Sequence, residues 1–276
     1  MSDQQNPLEP LPQIHVPGVS GVQSPAASVT VHHIFILDAS GSMSGLRNQT
    51  ISGFNEQVQN IRQLEQEFPS QRNLVTLIVF NGQAQERFFD VGSESLREIT
   101  EADYAPHGST RLYATVGETL ERMKNSLGER LATDRVIVTI MTDGENTDHD
   151  PRWNQSALRE YIQQLQADYR WVITFIGANI DVLQASRSLG IPISNTVAYT
   201  ASAAGTQDVF RTLGEGRRRY MTSLSTRGSA DMGYDAFYSA DVSRGLDLRQ
   251  PEEEQPAKAS KDLSRALSDY IRRNIK

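Results

Sequence analysis

The chain has 276 residues, a formal net charge of −7 and no cysteine. An acidic protein lacks the phosphate-neutralising surface that sequence-independent nucleic-acid binding needs, and without cysteine it has neither disulfides nor thiolate metal sites. No apolar run is long enough to span a bilayer, and the first residues lack the basic and apolar regions of a signal peptide. We therefore expect a cytoplasmic protein with no nucleic-acid and no membrane partner.

The first segment, residues 1–28, is polar and contains prolines at positions 7, 10, 12, 17 and 25. Such a segment buries too little apolar surface to offset the entropy lost on ordering it. The composition predicts a Pro-rich flexible arm over residues 1–28.

From Val29 onward, short β-branched apolar runs alternate with segments of helical period. The runs cover residues 31–37, 74–80, 135–141 and 171–177, with a weaker one at 192–197. Apolar stripes at helical spacing begin near residues 51, 112, 158 and 182. Strands that alternate with helices predict an α/β fold, with a doubly wound, mostly parallel sheet of about six strands and helices on both faces.

One segment departs from this alternation. Asn81-Gly82 separates the second run from another strand-like stretch, and an Asn-Gly pair in that position favours a hairpin. The pattern predicts one antiparallel edge strand near residues 84–91.

After residue 200 the alternation of strand-like and helix-like segments ends. Residues 206–225 have a helical pattern in which Arg217, Arg218 and Arg219 are expected to form a solvated face. Residues 226–257 form an irregular acidic linker containing PEEEQP, and residues 258–276 form an amphipathic helix. That last helix could pack on its own domain or on another subunit.

Three polar clusters follow the apolar strands: DASGS at 38–42, HGST at 107–110 and TDGEN at 142–146. Ligands bind beyond the carboxyl ends of strands in an open parallel sheet, so these clusters are expected to converge. Each residue alone also fits an ordinary turn or helix cap. Together they predict a metal site, whose ligands are Asp38, Ser40, Ser42, Thr110 and Asp143.

All five side chains offer hard oxygen, which suits Mg²⁺, while Ca²⁺ or Mn²⁺ would also fit. Only two of the five are anionic, and three hydroxyls favour Mg²⁺ because Ca²⁺ usually recruits more carboxylates. The bound ion would retain positive charge for an external carboxylate. Candidates for the surrounding ligand rim are Gly41, Ser109, Glu145, Asn179 and Asp181.

The motifs DASGS, Thr110 in GSTRLY, and TDGEN resemble the metal-ion-dependent adhesion site of the von Willebrand factor A domain family. The resemblance implies such a domain over residues 29–225, with a Rossmann-like fold. It implies Ser40, Ser42 and Thr110 as direct ligands, and Asp38 and Asp143 as ligands directly or through water. The phrases FILDASGSMSG, DGENTD and FIGANID further resemble an intracellular bacterial and phage subgroup. Members of that subgroup are linked to stress-response operons or AAA+ ATPases of the MoxR type.

The function predicted is that of a divalent-cation-dependent binding module, not an enzyme, that captures an exposed Asp or Glu of a protein partner. The expected setting is an intracellular multiprotein or stress-response system, with an AAA+ ATPase as a candidate partner. One alternative is a Mg²⁺-dependent phosphohydrolase, which needs a second acid two residues after its nucleophile, where this chain has Ser40. A second alternative is a self-assembling homo-oligomer in which an acid of the segment 252–254 occupies a neighbour's site.

Overall fold

The computed structural model describes residues 29–178, 180–227 and 237–238. Within these ranges a single sheet has the strand order β3-β2-β1-β4-β5-β6, in which β3 is antiparallel to β2 and every other pair is parallel. The strands are β1 (Val29–Asp38), β2 (Gln71–Phe80), β3 (Ala84–Gly92), β4 (Arg135–Thr142), β5 (Val172–Gly177) and β6 (Thr196–Ala198). The predicted fold class is confirmed, including the antiparallel edge strand.

In the described part of the chain, five α-helices cover the sheet: α1 (Arg47–Glu67), α2 (Leu112–Leu127), α3 (Gln155–Tyr169), α4 (Val182–Ser188) and α5 (Ala203–Arg227). The side chains of β1 alternate between two cores because successive residues of a strand point to opposite faces. Phe35 and Leu37 pack with α1 and α5, whereas Ile34 and Ile36 pack with α2, α3 and α4. The helices therefore lie on both faces, as predicted.

Strands β4 and β5 are buried along their whole length. Every residue of β4, RVIVTIMT, is buried, which is the pattern of a strand covered on both faces. Helices α1 and α5 lie close together, as the distance between Gly53 and Phe210 shows. A Cβ built on Gly53 would be 2.0 Å from a ring carbon of Phe210. None of the helices in the described ranges is long and apolar enough to cross a membrane.

The weak strand predicted at 192–197 is shorter than expected. Only Thr196–Ala198 pairs with β5, and Ile193–Asn195 form a 3₁₀ turn. Pro192 begins this turn without an N–H to donate to a neighbouring strand. The buried Asn195 side chain instead binds the backbone N–H of Phe237, its Oδ1 accepting at 2.9 Å.

The prediction of a solvated arginine face is wrong for Arg217, which is fully buried, whereas Arg218 and Arg219 are exposed. The Arg217 Nη1 donates to Gln57 Oε1 at 2.5 Å and its Nε donates to His33 Nδ1 at 3.2 Å. Its guanidinium also lies over the Phe35 ring at 5.1 Å, so this side chain points to the sheet. Arg217 therefore lies on the side of α5 that faces the sheet. A run of three arginines in the sequence does not indicate which of them faces inward.

The predicted arm over 1–28 and the predicted helix over 258–276 lie outside the described residues. Helix α5 extends two residues beyond the predicted domain end at 225. Of the predicted linker, Phe237 and Tyr238 are described and both are buried. The Phe237 ring lies 6.4 Å from that of Tyr220, so this part of the linker packs on α5.

Candidate metal centre

The predicted site lies where the connections of the sheet diverge. Strands β1 and β4 are neighbours, but β1 leads through α1 to β2 and β4 leads through α3 to β5 on the other side. Ligands of open α/β sheets bind at such a switch point. Because Leu37 is in register with Met141, the ends of the two strands bring Asp38 beside Thr142 and Asp143.

Asp38 is completely buried and held on both carboxylate oxygens. Its Oδ1 accepts from the Ser40 backbone N–H at 2.7 Å, and its Oδ2 accepts from Thr142 Oγ1 at 2.6 Å. The Tyr104 hydroxyl donates to the backbone carbonyl of Asp38. Burial raises the pKa of Asp38 and the nearby charge of Asp143 adds to the rise, while hydrogen bonds from Thr142 and Ser40 oppose it.

The other predicted ligands lie around this carboxylate. Ser42 Oγ donates to Asp143 Oδ1 at 2.6 Å and lies 3.1 Å from Ser40 Oγ. A Cβ built on Gly144 would be 3.7 Å from Thr110 Oγ1 and 4.0 Å from Ser42 Oγ. The structure thus brings the five predicted side chains together, although their role as ligands remains a prediction.

Backbone hydrogen bonds join the three loops that carry these residues. The N–H of Gly41 donates to Gly108 O at 3.1 Å, and the N–H of His107 donates to Ala39 O at 2.8 Å. Three hydrogen bonds join Thr110 and Thr147. Thr110 N donates to Thr147 Oγ1 at 2.9 Å, and Thr110 O accepts from Thr147 N at 2.9 Å and from Thr147 Oγ1 at 3.3 Å. The rim is therefore continuous from the first loop to the third.

The acidic stretch after TDGEN is largely neutralised by one arginine. Arg111 pairs with Glu118 at 2.8 Å, with Asp150 at 3.1 Å and with Asp148 at 3.3 Å. Hydrogen bonding and the charge of Glu118, with the charges of Asp148 and Asp150, raise the pKa of Arg111. Asp148 and Asp150 are thereby engaged in fixing this loop against the start of α2.

The residues predicted for the rim differ in their placement. Glu145 is exposed directly after the centre, and Asp181 caps α4, its Oδ1 accepting from Gln184 N at 2.9 Å. Ser109 lies against the β2–β3 turn, since a Cβ on Gly82 would be 2.8 Å from its Oγ. Gly41 approaches the second loop, where a Cβ would be 3.5 Å from Gly108 O. Asn179 is outside the described residues.

Sequence reasoning missed Thr142, Tyr104 and Thr147, which hold Asp38 and Thr110 in place. Thr142 is the first residue of the TDGEN motif, so its position next to Asp143 was the available signal. Tyr104 lies outside every motif, and only the folded chain brings it to Asp38.

The residues present fit a hard dication. No Lys, Arg or His of the described ranges pairs with Asp38 or Asp143, so two carboxylates that are at most 4% exposed lie close together without a cationic partner. No group of three or more His, Cys, Asp or Glu in the described part of the chain is arranged to hold a metal, so an ion bound here would need the neighbouring hydroxyls among its donors. Hard oxygens of this kind suit Mg²⁺ and do not select zinc.

The sequence matches the family model of the von Willebrand factor type A domain over residues 34–212, which is more than half of the chain. The chain therefore belongs to this family. Domains of the family generally mediate metal-dependent protein interactions. No curated protein matches the sequence.

Several solved structures are similar to the chain. The ArnB paralog VWA2 from Sulfolobus acidocaldarius is 16% identical, with a TM-score of 0.42 over 70% of this chain and 46% of that one. Proximal thread matrix protein 1 from the mussel byssus, with a zinc-occupied MIDAS motif, is 16% identical, with a TM-score of 0.46 over 70% and 47%. The manganese-loaded TRAP protein of Plasmodium vivax is 15% identical, with a TM-score of 0.46 over 64% and 71%. The chain spans less than half the length of the first two.

Proposed function

We propose that this domain binds a protein partner through a divalent cation. Asp38, Ser40, Ser42, Thr110 and Asp143 would hold the ion, and an Asp or Glu of the partner would complete its coordination. When bound, the cation supplies the positive charge that attracts the partner's carboxylate. The observation that carries this proposal is the pair of buried carboxylates, Asp38 and Asp143, among hydroxyls and without a cationic partner in the described ranges.

The hydrogen bonds of Asp38 support a site that accepts a further anionic ligand. Both oxygens of this carboxylate already accept a hydrogen bond, so part of its charge is directed to Ser40 and Thr142. Neutral hydroxyls neutralise little of a dication's charge. An ion held by such a set keeps an affinity for one more carboxylate.

The same geometry argues against phosphohydrolase chemistry. A nucleophilic aspartate must reach its substrate, whereas Asp38 is fully buried with both oxygens engaged. The position two residues later, where a second acid is needed, is Ser40. We therefore propose a binding module and not an enzyme.

The finer parts of the proposal are Mg²⁺ as the cation, the cytoplasm as the location and an AAA+ ATPase system as the setting. The three hydroxyls favour Mg²⁺ among hard dications. The location and the setting rest on the resemblance of the motifs to the intracellular subgroup.

Cation binding is tested first, by calorimetric titration of the protein with Mg²⁺. Asp38→Asn keeps the shape of the side chain and removes its charge, and we expect it to weaken Mg²⁺ binding by at least about tenfold. Asp208→Asn, an exposed position on α5, is the matched control and should bind as the parent does. Equal affinity in the parent and in Asp38→Asn would overturn the assignment of the site.

Capture of an acidic group is tested with a library of random heptapeptides displayed on phage. The library is retained on the immobilised protein in Mg²⁺ and released with a chelator. Every recovered peptide family should contain Asp or Glu, and immobilised Asp38→Asn should yield none. A pool without acidic enrichment, or one that Asp38→Asn retains equally, contradicts the proposed function.

A further inference from the structure

A hollow of about 240 Å³ adjoins the metal centre. It lies between the start of α2, helix α4 and the loop after β4, and Gly144 belongs to both places. The Cβ position of Gly144 lies 3.7 Å from Thr110 Oγ1, so an occupant of the hollow would be next to the predicted ligands. Small-molecule sites usually enclose about 300–1,000 Å³, so this hollow suits a single side chain.

The lining of the hollow has two parts. Its floor is apolar and includes Leu112, Phe175 and Leu189, all of which are at most 4% exposed. Its edge carries the exposed carboxylates of Glu145 and Asp181. No Lys or Arg of the described ranges lines it. An apolar floor below an acidic edge matches the aliphatic stem and charged head of a lysine or arginine.

These two carboxylates differ from the other acids of the same region. Asp148 and Asp150 are paired with Arg111, whereas Glu145 makes no ion pair among the described residues. Within the described ranges, the Asp181 side chain makes only its cap hydrogen bond to Gln184 N, through one oxygen. A neighbouring hollow shares Asp181 with this one and is also lined by Arg159 and Arg187. Among the described residues, neither arginine forms an ion pair with Asp181. The hollow therefore presents two exposed carboxylates that form no ion pair among the described residues.

We propose that this hollow receives a lysine or arginine side chain of the same partner whose acidic side chain reaches the metal centre. The inference rests on the proposed function and adds a second recognition element to it. Asp143 and Glu145 are two residues apart, so their Cα atoms are separated by about 7 Å at most. The basic residue therefore lies within about three positions of the acidic one in the partner.

The experiment sequences the chelator-released heptapeptides for basic residues near the acid. On the parent protein, Lys or Arg should be enriched within three positions of the Asp or Glu. The double variant Glu145→Gln with Asp181→Asn should retain the acidic enrichment and lose the basic one. Asparagine is also a good N-cap, so α4 keeps its start in this variant. A recovered peptide with both charges should bind the double variant about tenfold more weakly.

The double variant Glu129→Gln with Asp208→Asn is the control for the loss of two negative charges. Glu129 is exposed and follows the far end of α2, Asp208 is exposed on α5, and this variant should leave both enrichments unchanged. Acidic enrichment without basic enrichment on the parent would overturn the inference and leave the proposed function standing. Basic enrichment that survives the double variant would also overturn it. A pool without acidic enrichment would overturn both.

Discussion

The hydroxyl of Thr142 fixes one oxygen of Asp38 and therefore the orientation of the whole carboxylate. The bond is 2.6 Å long and both residues are fully buried, so its removal leaves a buried carboxylate oxygen without this donor. In metal sites, partners of this kind orient the ligand and tune its basicity.

We expect Thr142→Val, which keeps the shape of the side chain and removes its hydroxyl, to weaken Mg²⁺ binding by about ten- to a hundredfold. Calorimetric titration measures the change. The control is Thr222→Val, an exposed threonine of α5 whose hydroxyl donates to Arg218 O and to no other described residue. An unchanged affinity in Thr142→Val would show that Asp38 keeps its orientation without this hydroxyl.

At the scale of residues, the sequence predicts the position of a polar side chain when that side chain directly follows an apolar strand. Asp38 and Asp143 were predicted in this way, because parallel strands end at one edge of the sheet. To predict the contact of Thr142 with Asp38, the register of β1 against β4 must be known. To predict the contact of Tyr104 with Asp38, the packing of a loop that contains no motif must be known. Arg217 was misjudged because its orientation depends on the exact rotation of α5, and neighbouring residues of the same type carry no signal of that rotation.

At the scale of elements, the contact between α1 and α5 depends on one glycine. The Cβ position of Gly53 lies 2.0 Å from a ring carbon of Phe210, and Phe210 is buried on the sheet side. A methyl group at Gly53 cannot be accommodated unless the ring or the helix moves.

Gly53→Ala should therefore lower the free energy of unfolding by about 1–3 kcal/mol, although alanine favours helices. Gly214→Ala in α5 is the control, because its Cβ would meet Asn60 at an ordinary 3.7 Å. That control should be neutral or more stable by up to about 1 kcal/mol. Urea denaturation compares the two, and a stabilised Gly53→Ala would contradict the close packing.

The helices and strands could be predicted from the periodicity of their apolar residues. A strand that is buried on both faces is apolar throughout, and a helix that packs on the sheet has one apolar stripe. The exception is β6 (Thr196–Ala198), which includes only two residues of the run at 192–197. Its short pairing is determined by Pro192 and by the Asn195 contact with Phe237, and the second of these joins residues 42 positions apart. Such contacts do not appear in a local pattern.

At the scale of the whole molecule, stability should depend on pH through His33. This side chain is buried, its Nε2 donates to Asn73 Oδ1 at 2.8 Å, and its Nδ1 accepts from Arg217 Nε. Burial lowers the pKa of His33 well below 6.5, and the charge of Arg217 lowers it further. Below about pH 6.5 the unfolded chain takes up a proton at His33 that the folded chain does not, so stability falls with falling pH.

We expect the free energy of unfolding to fall between about pH 7.5 and about pH 5.5, and His33→Gln to reduce the slope by up to about 1.4 kcal/mol per pH unit. The raised pKa of Asp38 acts in the opposite direction, because its contribution is present at low pH and is lost as the pH rises. Asp38 is common to both proteins, so the difference between their slopes isolates His33. Identical slopes in urea titrations would contradict this assignment.

The hydrogen bonds that join the three loops have a consequence for how an ion would arrive. Gly41 with Gly108, Ala39 with His107, and Thr110 with Thr147 hold the rim together through the backbone and one hydroxyl. The conformational entropy of these loops is thus lost when the chain folds and not when a ligand docks. Cleavage of the backbone or an insertion at 105–109 should consequently lower the melting temperature first. Weaker binding of the partner should follow from that loss of stability.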